Sequence, residues 1–306
     1  TAQAIGQKNA ILQQINSNTI KNVVAADRLQ ENPDANAVEA IGRLPGISLQ
    51  RSGGEGTGLV VRGLEQRYTA ITLNGIELPA ISGGDRSTNL NSISQYALQG
   101  AEVFKSLTAD MDANSVAGAV NLKVRGAPNG FKSNIMLQGG YNMLNNYFGN
   151  YKVAYDFSNR FFNKKLGILI TVNAERVNRS VQTMSSSYNI ESADPNADIL
   201  LNNTNLNLNT TFIYRQSVLF SSDYKLNENT SFTLYSIYNR SKNDNQNQSK
   251  NYSLNGAGGV GYTFSSNPNT NIDMFQTTFS GETKINFLKI KADYGLSFSS
   301  GNNTNI

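Results

Sequence analysis

The sequence predicts two parts of different fold: an α+β domain, followed by an antiparallel β-barrel of the membrane-spanning kind. Of the 28 Phe and Tyr residues, 3 lie in residues 1–130 and 25 lie in residues 131–306. Several segments of the second part alternate between apolar and polar residues, as half-buried strands do. The turn-forming string at 126–130, Gly-Ala-Pro-Asn-Gly, separates the two parts.

The composition excludes several classes of function. The 306 residues contain no Cys and no His, so the chain has no Ser-His or Cys-His nucleophile, no thiolate or imidazole metal ligand and no disulfide. We therefore expect a protein that is not an enzyme and has no cofactor or resident metal. The net charge of +4 comes without any cluster of Lys and Arg, which argues against nucleic-acid binding. No apolar run of 18 residues predicts a transmembrane helix.

The first part reads as a small mixed domain. Asn32-Pro33-Asp34 begins a predicted helix that carries Ala37, Ala40, Ile41 and Leu44 at helical spacing and ends at Pro45-Gly46. A second helix is predicted near 92–99, and the Asn74-Gly75 pair predicts a tight hairpin turn. The predicted strands are 47–50, 59–62, 68–74, 76–78, 101–105 and 117–124. The Gly-rich stretches 53–58 and 83–84 are interpreted as mobile loops.

The second part alternates with period 2. From 147 to 157 the odd positions are Tyr, Phe, Val or Gly, and 166–174 and 288–298 repeat the pattern. The opposite faces of these strands carry the charged residues Lys152, Asp156, Glu175, Lys289, Lys291 and Asp293. Eleven residues of about 3.3 Å each, tilted by roughly 45°, rise about 25 Å, which matches the apolar band of an outer-membrane barrel.

The connections support the same interpretation. The predicted strands are about 131–143, 147–158, 166–178, 208–225, 229–241, 271–285 and 288–300. Short turns on one side and long polar loops at 179–207 and 242–270 on the other are typical of a membrane barrel. A soluble antiparallel sandwich remains the alternative, since its strands also alternate. Seven is an odd number of strands, and bacterial single-chain barrels close with an even number, so we expect the barrel to continue beyond this chain.

Five motifs in one order carry a family resemblance. They are Glu39-Ala40-Ile41-Gly42-Arg43-Leu44-Pro45-Gly46-Ile47, Val60-Val61-Arg62-Gly63-Leu64, Ala70-Ile71-Thr72-Leu73-Asn74-Gly75-Ile76, Ala101-Glu102-Val103-Phe104-Lys105 and Gly118-Ala119-Val120-Asn121-Leu122. In order and spacing, across about 22–125, they resemble the plug domain of TonB-dependent outer-membrane receptors, and two further stretches, 6–10 and 108–113, resemble receptors of Bacteroidetes-type bacteria. The resulting division is a lead segment at 1–21, a plug domain at 22–126 and the first part of a transmembrane β-barrel at 127–306.

The resemblance implies a 22-stranded barrel in the bacterial outer membrane, of which about seven strands are present. It implies that the plug gates the lumen for active uptake of a scarce solute: an iron chelate, a vitamin or an oligosaccharide. Its implied partners are the inner-membrane Ton complex, outer-membrane lipid and, in some receptors of this group, a surface lipoprotein that acts as a lid. A structural or secretion role within a larger outer-membrane assembly is the alternative. The sequence shows no signal peptide and no clear Ton-interaction box, so we interpret the chain as an internal piece of a longer polypeptide.

Candidate site residues fall in the first part. Gln66, Arg67 and Tyr68, together with Asp85 and Arg86, lie in segments that follow strands and are predicted to contact ligand at the plug apex. Arg62, Gly63, Gly75 and Gly118 are predicted to be structural, with Arg62 as a buried ion-pair partner. Asp110, Asp112 and Asn114 depart from a calcium loop at later positions, and Asp194, Asn196 and Asp198 read as a solvated loop, so no metal site is predicted.

Overall fold

The fold was analysed in a computed structural model of the chain. The described residues are 2–17, 19–26, 29, 36–52, 54–79, 90, 93, 95–106, 115–143, 146–190, 198–254, 259–285 and 288–302. Asp85, Arg86, the predicted helix start at 32–34, the Gly83-Gly84 pair and the aspartates at 110, 112 and 194 lie outside them. Within these ranges, no helix combines the length and the apolar character needed to cross a membrane.

The first part, here called the front domain, consists of residues 21–125 and is preceded by a helix. Its helices and strands are α1 (Ala2–Ile15), β1 (Lys21–Ala25), α2 (Ala37–Ile41), β2 (Ile47–Ser52), β3 (Glu55–Val61), β4 (Thr69–Leu73), β5 (Ile76–Glu77), β6 (Leu98–Phe104) and β7 (Gly118–Val124). Five strands form one sheet in the order β1-β6-β7-β4-β5, with β4 and β7 parallel. Strands β2 and β3 form a separate antiparallel pair.

Local chemistry explains one predicted helix and one predicted turn that the structure contains, although the helix ends at Ile41, before Leu44. Helix α2 begins after Asn36, whose side-chain oxygen accepts a hydrogen bond from the Glu39 backbone N–H, as an N-cap residue does. Asn74 and Gly75 have φ values of 50° and 89°, and so form a turn in the left-handed region between β4 and β5. Asn74 also ties this turn to β7, since its Oδ1 accepts a 3.0 Å hydrogen bond from the Val124 N–H.

The lead segment, for which no helix or strand is predicted, contains helix α1. Two local predictions differ from the structure. The predicted helix near 92–99 is a 3-10 turn at Gln95–Ala97, and β6 begins directly after it at Leu98, because β6 pairs with both β1 and β7. The Gly-rich stretch 53–58 is largely strand: Gly56 and Gly58 belong to β3, where the absence of side chains lets Glu39 and Gln66 approach the backbone closely.

The second part forms one large antiparallel sheet, here called the wall. Its strands are β8 (Lys132–Asn142), β9 (Tyr147–Phe161), β10 (Leu166–Asn178), β11 (Val181–Ile190), β12 (Ile199–Lys225), β13 (Thr230–Ser253), β14 (Gly259–Ile285) and β15 (Leu288–Asn302). The order is β15-β14-β13-β12-β10-β9-β8, and β11 continues the line of β10 beside β12. Among the described residues the edge strands β8 and β15 do not pair with each other, so the sheet is open.

The predicted long loops are the largest correction. Most of 179–207 and of 242–270 is strand, because β11 lies inside the first range while β12, β13 and β14 extend through the remainder. The strand count becomes eight instead of seven. These extensions alternate between Asn or Ser and other residues rather than between charged and apolar ones, and backbone pairing satisfies their N–H and C=O groups.

The predicted face assignment of the wall holds. Outward residues on successive strands stay accessible, with Tyr155 41%, Val172 41% and Phe279 49% exposed. The part of the inward face that lies against the front domain is buried and mostly polar; its buried polar members include Ser158, Thr171, Asn173, Glu175, Arg215, Ser217, Ser221, Asn239, Ser241, Gln276 and Thr278. Nothing among the described residues covers the apolar face, which a soluble sandwich would require.

Candidate functional site

The front domain packs against the inward face of the wall. Four inward apolar side chains lie at the centre of this contact: Leu169, Leu219, Ile237 and Met274. They belong to the same buried cluster as front-domain residues such as Leu73, Leu122 and Val124. A small apolar contact is therefore surrounded by polar wall residues, and these polar residues provide the candidate site.

Glu55 of the front domain makes the most buried polar contact. Its side chain is 2% exposed and forms ion pairs with two wall residues, Arg179, at 2.6 Å between Nη2 and Oε1, and Arg215. Arg215, 5% exposed, also pairs with Glu175, and the Lys152 ammonium lies 3.5 Å from the other Glu175 oxygen. We call these five residues the ion cluster.

The charge state of Glu55 follows from these neighbours. Burial alone would raise the pKa of its carboxyl group, but the positive charge of Arg215, together with hydrogen bonds and charge from Arg215 and Arg179, outweighs burial and lowers the pKa below its ordinary value. The ion cluster consists of two carboxylates and three cations. Because removing one partner of a buried ion pair leaves an uncompensated charge, the cluster couples the front domain strongly to the wall.

A second group of contacts joins the end of the front domain to the wall. Arg125 Nη1 lies 2.9 Å from Asp156 Oδ2 and also donates to the Tyr96 carbonyl at 3.1 Å. The other Asp156 oxygen accepts a 2.7 Å hydrogen bond from the Thr171 hydroxyl. Asp156 is therefore held by one cation from the front domain and one hydroxyl from the neighbouring wall strand.

The segment that leaves the front domain is fixed in the same way. Arg160 makes two hydrogen bonds to the Asp223 carboxylate, at 2.9 Å and 3.0 Å, and donates to the Ala127 carbonyl at 2.9 Å. Ala127 also packs over Gly167, where any side chain would meet its Cβ at 2.9 Å. The connection therefore contacts β9 and β10 directly and is linked to β12 through Arg160.

At the far side of the wall, strand β5 of the front domain contacts β14 and β15. Gln276 donates a 3.4 Å hydrogen bond to the Ile76 carbonyl, and the Ile76 side chain lies 2.6 Å from where a Cβ on Gly295 would stand. The contacts of the front domain described here therefore run from β9 to the edge strand β15.

A separate carboxylate holds the front domain itself together. Glu102 on β6 pairs with Lys21 at 3.1 Å and with Lys123 at 3.3 Å, and accepts a 3.2 Å hydrogen bond from the Asn121 amide. Burial would raise the pKa of Glu102, but the charges of Lys123 and Lys21 and their hydrogen bonds lower it. These contacts connect β1, β6 and β7.

The structure brings only part of the predicted ligand set together. Gln66, Arg67 and Tyr68 form a 3-10 turn before β4; Gln66 is buried, whereas Arg67 and Tyr68 are exposed. The Arg67 guanidinium lies 5.9 Å from the centre of the Tyr68 ring and pairs with Glu65. Their predicted companions Asp85 and Arg86 lie outside the described residues.

The predicted structural residues behave differently from one another. Gly75 lies in the β4-β5 turn, and Gly118, with φ 141°, leaves no room for a side chain because a Cβ would stand 2.5 Å from the Phe104 carbonyl oxygen. Arg62 and Gly63 occupy a turn with φ values of 55° and 74°. Arg62 is exposed and makes no ion pair among the described residues, so the expectation of a buried partner is wrong for it. The buried partner in this region is Glu55.

Three of the six predicted inward charges contact the front domain or its partners. Asp156 pairs with Arg125 directly, and Glu175 and Lys152 join the ion cluster. Asp293 is exposed and accepts a hydrogen bond from Ser280 instead. The side chains of Lys289 and Lys291 are outside the description. Glu55, Arg179 and Arg215 are not predicted from the sequence; a lone acidic residue inside a Gly-rich stretch is the one signal for them.

Comparisons with known proteins agree with the front-domain motifs. Residues 13–119 match the family model described as TonB-dependent Receptor Plug Domain. No protein of curated function matches the chain.

Similar folds occur among solved structures. The ferric citrate transporter FecA is 12% identical and has a TM-score of 0.48, with 97% of this chain and 52% of that one covered. The siderophore receptor PirA from Acinetobacter baumannii is 12% identical, with a TM-score of 0.46 and coverages of 90% and 49%. The copper transporter OprC is 13% identical, with a TM-score of 0.47 and coverages of 92% and 46%. The chain spans about half the length of these proteins. Its front domain is a plug domain of the TonB-dependent receptor family, joined to an open antiparallel wall that holds the plug by its polar inward face.

Proposed function

We propose that this chain provides the plug and the first part of the barrel of a receptor that takes up a scarce solute actively across the bacterial outer membrane. In this proposal the plug blocks the lumen at rest. The inner-membrane Ton complex supplies the energy that moves the plug, and lipid surrounds the outward apolar face of the wall. The polypeptide binds and moves its solute without chemical conversion.

The contact of Glu55 with Arg179 and Arg215 carries this proposal. A plug that gates a lumen must be held firmly at rest and must still be displaceable as one piece. Ion pairs concentrated at one carboxylate meet both needs, because they are strong when complete and are replaced by water once the plug moves. The inward face of the wall supports this, since most of its buried side chains beyond the four apolar ones are polar.

The remaining assignments belong to the same proposal. The plug would span 22–126 and the barrel 127–306; strand β7 ends at Val124 and β8 begins at Lys132, on either side of this boundary. Exposed Arg67 and Tyr68, with Gln66 beneath them, would contact the solute together with Asp85 and Arg86. A surface lipoprotein could act as a lid over the same opening.

An engineered disulfide tests whether the plug must move. The chain has no Cys, so the double variant Ile76→Cys/Gly295→Cys introduces the only thiols in these residues, at the contact between β5 and β15. Uptake of the receptor's solute into cells with an energised Ton complex should be lost in the oxidised variant and regained on reduction. The two single-Cys variants are the matched controls.

The outcomes separate this function from its rival. Full uptake by the oxidised, cross-linked protein would contradict plug movement. Uptake that persists without a functional Ton complex would contradict active transport. Normal uptake combined with a defect in assembly of other outer-membrane components would favour the structural or secretion role.

A further inference from the structure

The upper half of the wall has an inward face without charge. Beyond the ion cluster, β11 pairs with β12, β12 pairs with β13, and β13 pairs with β14. Over 183–187, 203–211, 245–251 and 261–265 the inward residues of these strands are small amides, hydroxyls or glycine. The inward positions at the end of β11 and the start of β12 are instead Tyr188, Ile190, Ile199 and Leu201, and Val181 lies opposite Asn209. We call this set the amide face: Thr183, Ser185, Ser187, Asn203, Asn205, Asn207, Asn209, Thr211, Asn245, Asn247, Ser249, Asn251, Gly261, Thr263 and Ser265.

The register fixes which way this face points. Strands β12 and β13 pair without interruption from Asn203 opposite Ser253 to Lys225 opposite Ser231. Odd-numbered residues of β12 therefore keep one side along its whole length. Because Arg215, Ser217 and Leu219 on that side are buried against the plug, Asn203 to Asn209 face the same inward direction, above the plug.

Different residue types occupy the inward and the outward faces of these strands. In the segment 203–210 every odd residue is Asn, whereas the even residues are Thr or Leu. On β13 the charged side chains Asp244 and Lys250 take even positions and point outward. The bulky Tyr262 and Phe264 of β14 pair with outward residues in the same way. An Asn-rich composition alone would not sort residues between the two faces.

The amide face also keeps hydrogen-bonding capacity. Thr211 donates to the Asn245 side chain at 3.1 Å, whereas the side-chain oxygens of Asn203, Asn205 and Asn247 are buried and have no donor within the part of the chain that the structure describes, so each accepts from a ligand only if its side chain turns toward the lumen. Each amide carries two donors and an acceptor oxygen, and each hydroxyl can donate or accept a hydrogen bond. The described side chains of this face therefore offer both donors and acceptors but no charge.

We propose that the amide face binds a neutral, hydroxyl-rich solute, namely an uncharged oligosaccharide. Sugar hydroxyls donate and accept as amides do, so the two surfaces are complementary. An anionic metal chelate would instead require cations, and the described inward cations nearest to this face, Arg179 and Arg215, are already paired with Glu55. Same-face residues about 6.7 Å apart on strands about 4.8 Å apart give a grid of contacts rather than a single pocket.

This inference rests on the proposed uptake function and names its solute class. The test uses the intact protein purified from its outer membrane. One probe is an array of uncharged glucan, xylan and mannan oligosaccharides, and the other is ferric citrate as an anionic chelate. The variant Asn205→Ala/Asn247→Ala removes amides from the inward face. Its control, Gln246→Ala/Gln248→Ala, removes two amides from the outward face of β13, on either side of Asn247.

We expect at least one array member to bind, and we expect the inward variant to weaken that binding about tenfold while the outward variant leaves it within twofold. Resistance of the plug to protease checks that each variant is folded. Failure of every array member to bind, or equal binding by both variants, would overturn the proposal. So would binding of ferric citrate in preference to all the sugars.

The two proposals fail in different ways. Sugar binding that depends on the amide face, combined with uptake that needs no Ton complex, would leave this inference standing and remove the proposed function. Ton-dependent uptake of ferric citrate alone would do the reverse.

Discussion

The lower and upper halves of the wall's inward face use polar residues for different purposes. In the lower half, Glu175 and Arg215 are buried and paired with defined partners at short distance. In the upper half, Asn205 and Asn207 are partly accessible and uncharged. The comparison shows that charge is placed where the partner is a permanent part of the same chain, and that neutral groups face the open side. Desolvating a charge is tolerable only where its counter-charge is already in place.

Removal of Arg215 should have the largest effect on the lower half. Arg215→Ala leaves Glu55 and Glu175 buried without their shared cation. We expect this to lower the free energy of unfolding of the protein by about 3–5 kcal/mol. Urea unfolding of the intact protein, monitored by the protease sensitivity of the plug, measures this loss of stability. Arg240→Ala, at an exposed outward pair with Asp273, is the control and should change little. Equal losses would mean that the ion cluster has no special role.

Acid should loosen the same contact. Since the pKa of Glu55 is lowered by its partners, its contribution to stability is complete above the ordinary value of 4.5 and is lost as the pH falls through the lowered value. Plug protection from protease, measured from pH 7 to pH 3, should therefore decline only in the acid range. Glu102 titrates in the same direction, so the difference between the native protein and Glu55→Gln isolates Glu55. Identical acid profiles for the two proteins would contradict this assignment.

A single hydroxyl should matter less. Thr171→Val removes the hydrogen bond to Asp156 but keeps its pairing with Arg125. We expect a loss of about 1.5–3 kcal/mol, because the acceptor is charged and partly buried. The free energy of unfolding in urea measures it. Thr210→Val, on the outward face of β12, is the comparison and should be close to neutral; a similar loss there would point to a general effect of strand substitution.

Substitutions in the upper half of the wall should change the stability of the protein least. Asn209→Ser keeps an uncharged hydrogen-bonding group at an accessible position, and we expect the free energy of unfolding to change by no more than about 0.5 kcal/mol. Thermal unfolding of the intact protein checks this. A loss above about 1.5 kcal/mol would show that the amide face supports the wall rather than remaining available to a ligand.

The sequence was informative where side-chain alternation contrasts strongly. In 147–157 aromatic residues alternate with Lys152 and Asp156, and both β9 and its two faces follow from that contrast. In the upper segments of β12 and β13 the contrast is between Asn and Leu or Gln. Because this contrast is weaker than that between charged and apolar residues, the pattern predicts a loop instead of a strand. The hairpin at Asn74-Gly75 was readable because only a few residue types adopt positive φ.

The candidate site was less accessible to sequence reasoning because it depends on pairs far apart in the chain. Glu55 and Arg215 are 160 residues apart, and neither lies in a motif that marks it. Glu55 also lies between glycines, in a stretch whose composition favours a loop. Its burial follows from the docking of β3 on the wall, which no local pattern encodes.

The interruption between β10 and β11 has a mechanical consequence. Arg179 and Ser180 break the strand, although β12 runs past them without a gap and the Arg179 N–H still bonds to the Thr211 carbonyl at 2.8 Å. Glu55 is thus anchored at two separate places, one at this break and one within the continuous β12. A pull on the plug would therefore load two segments of the wall at once.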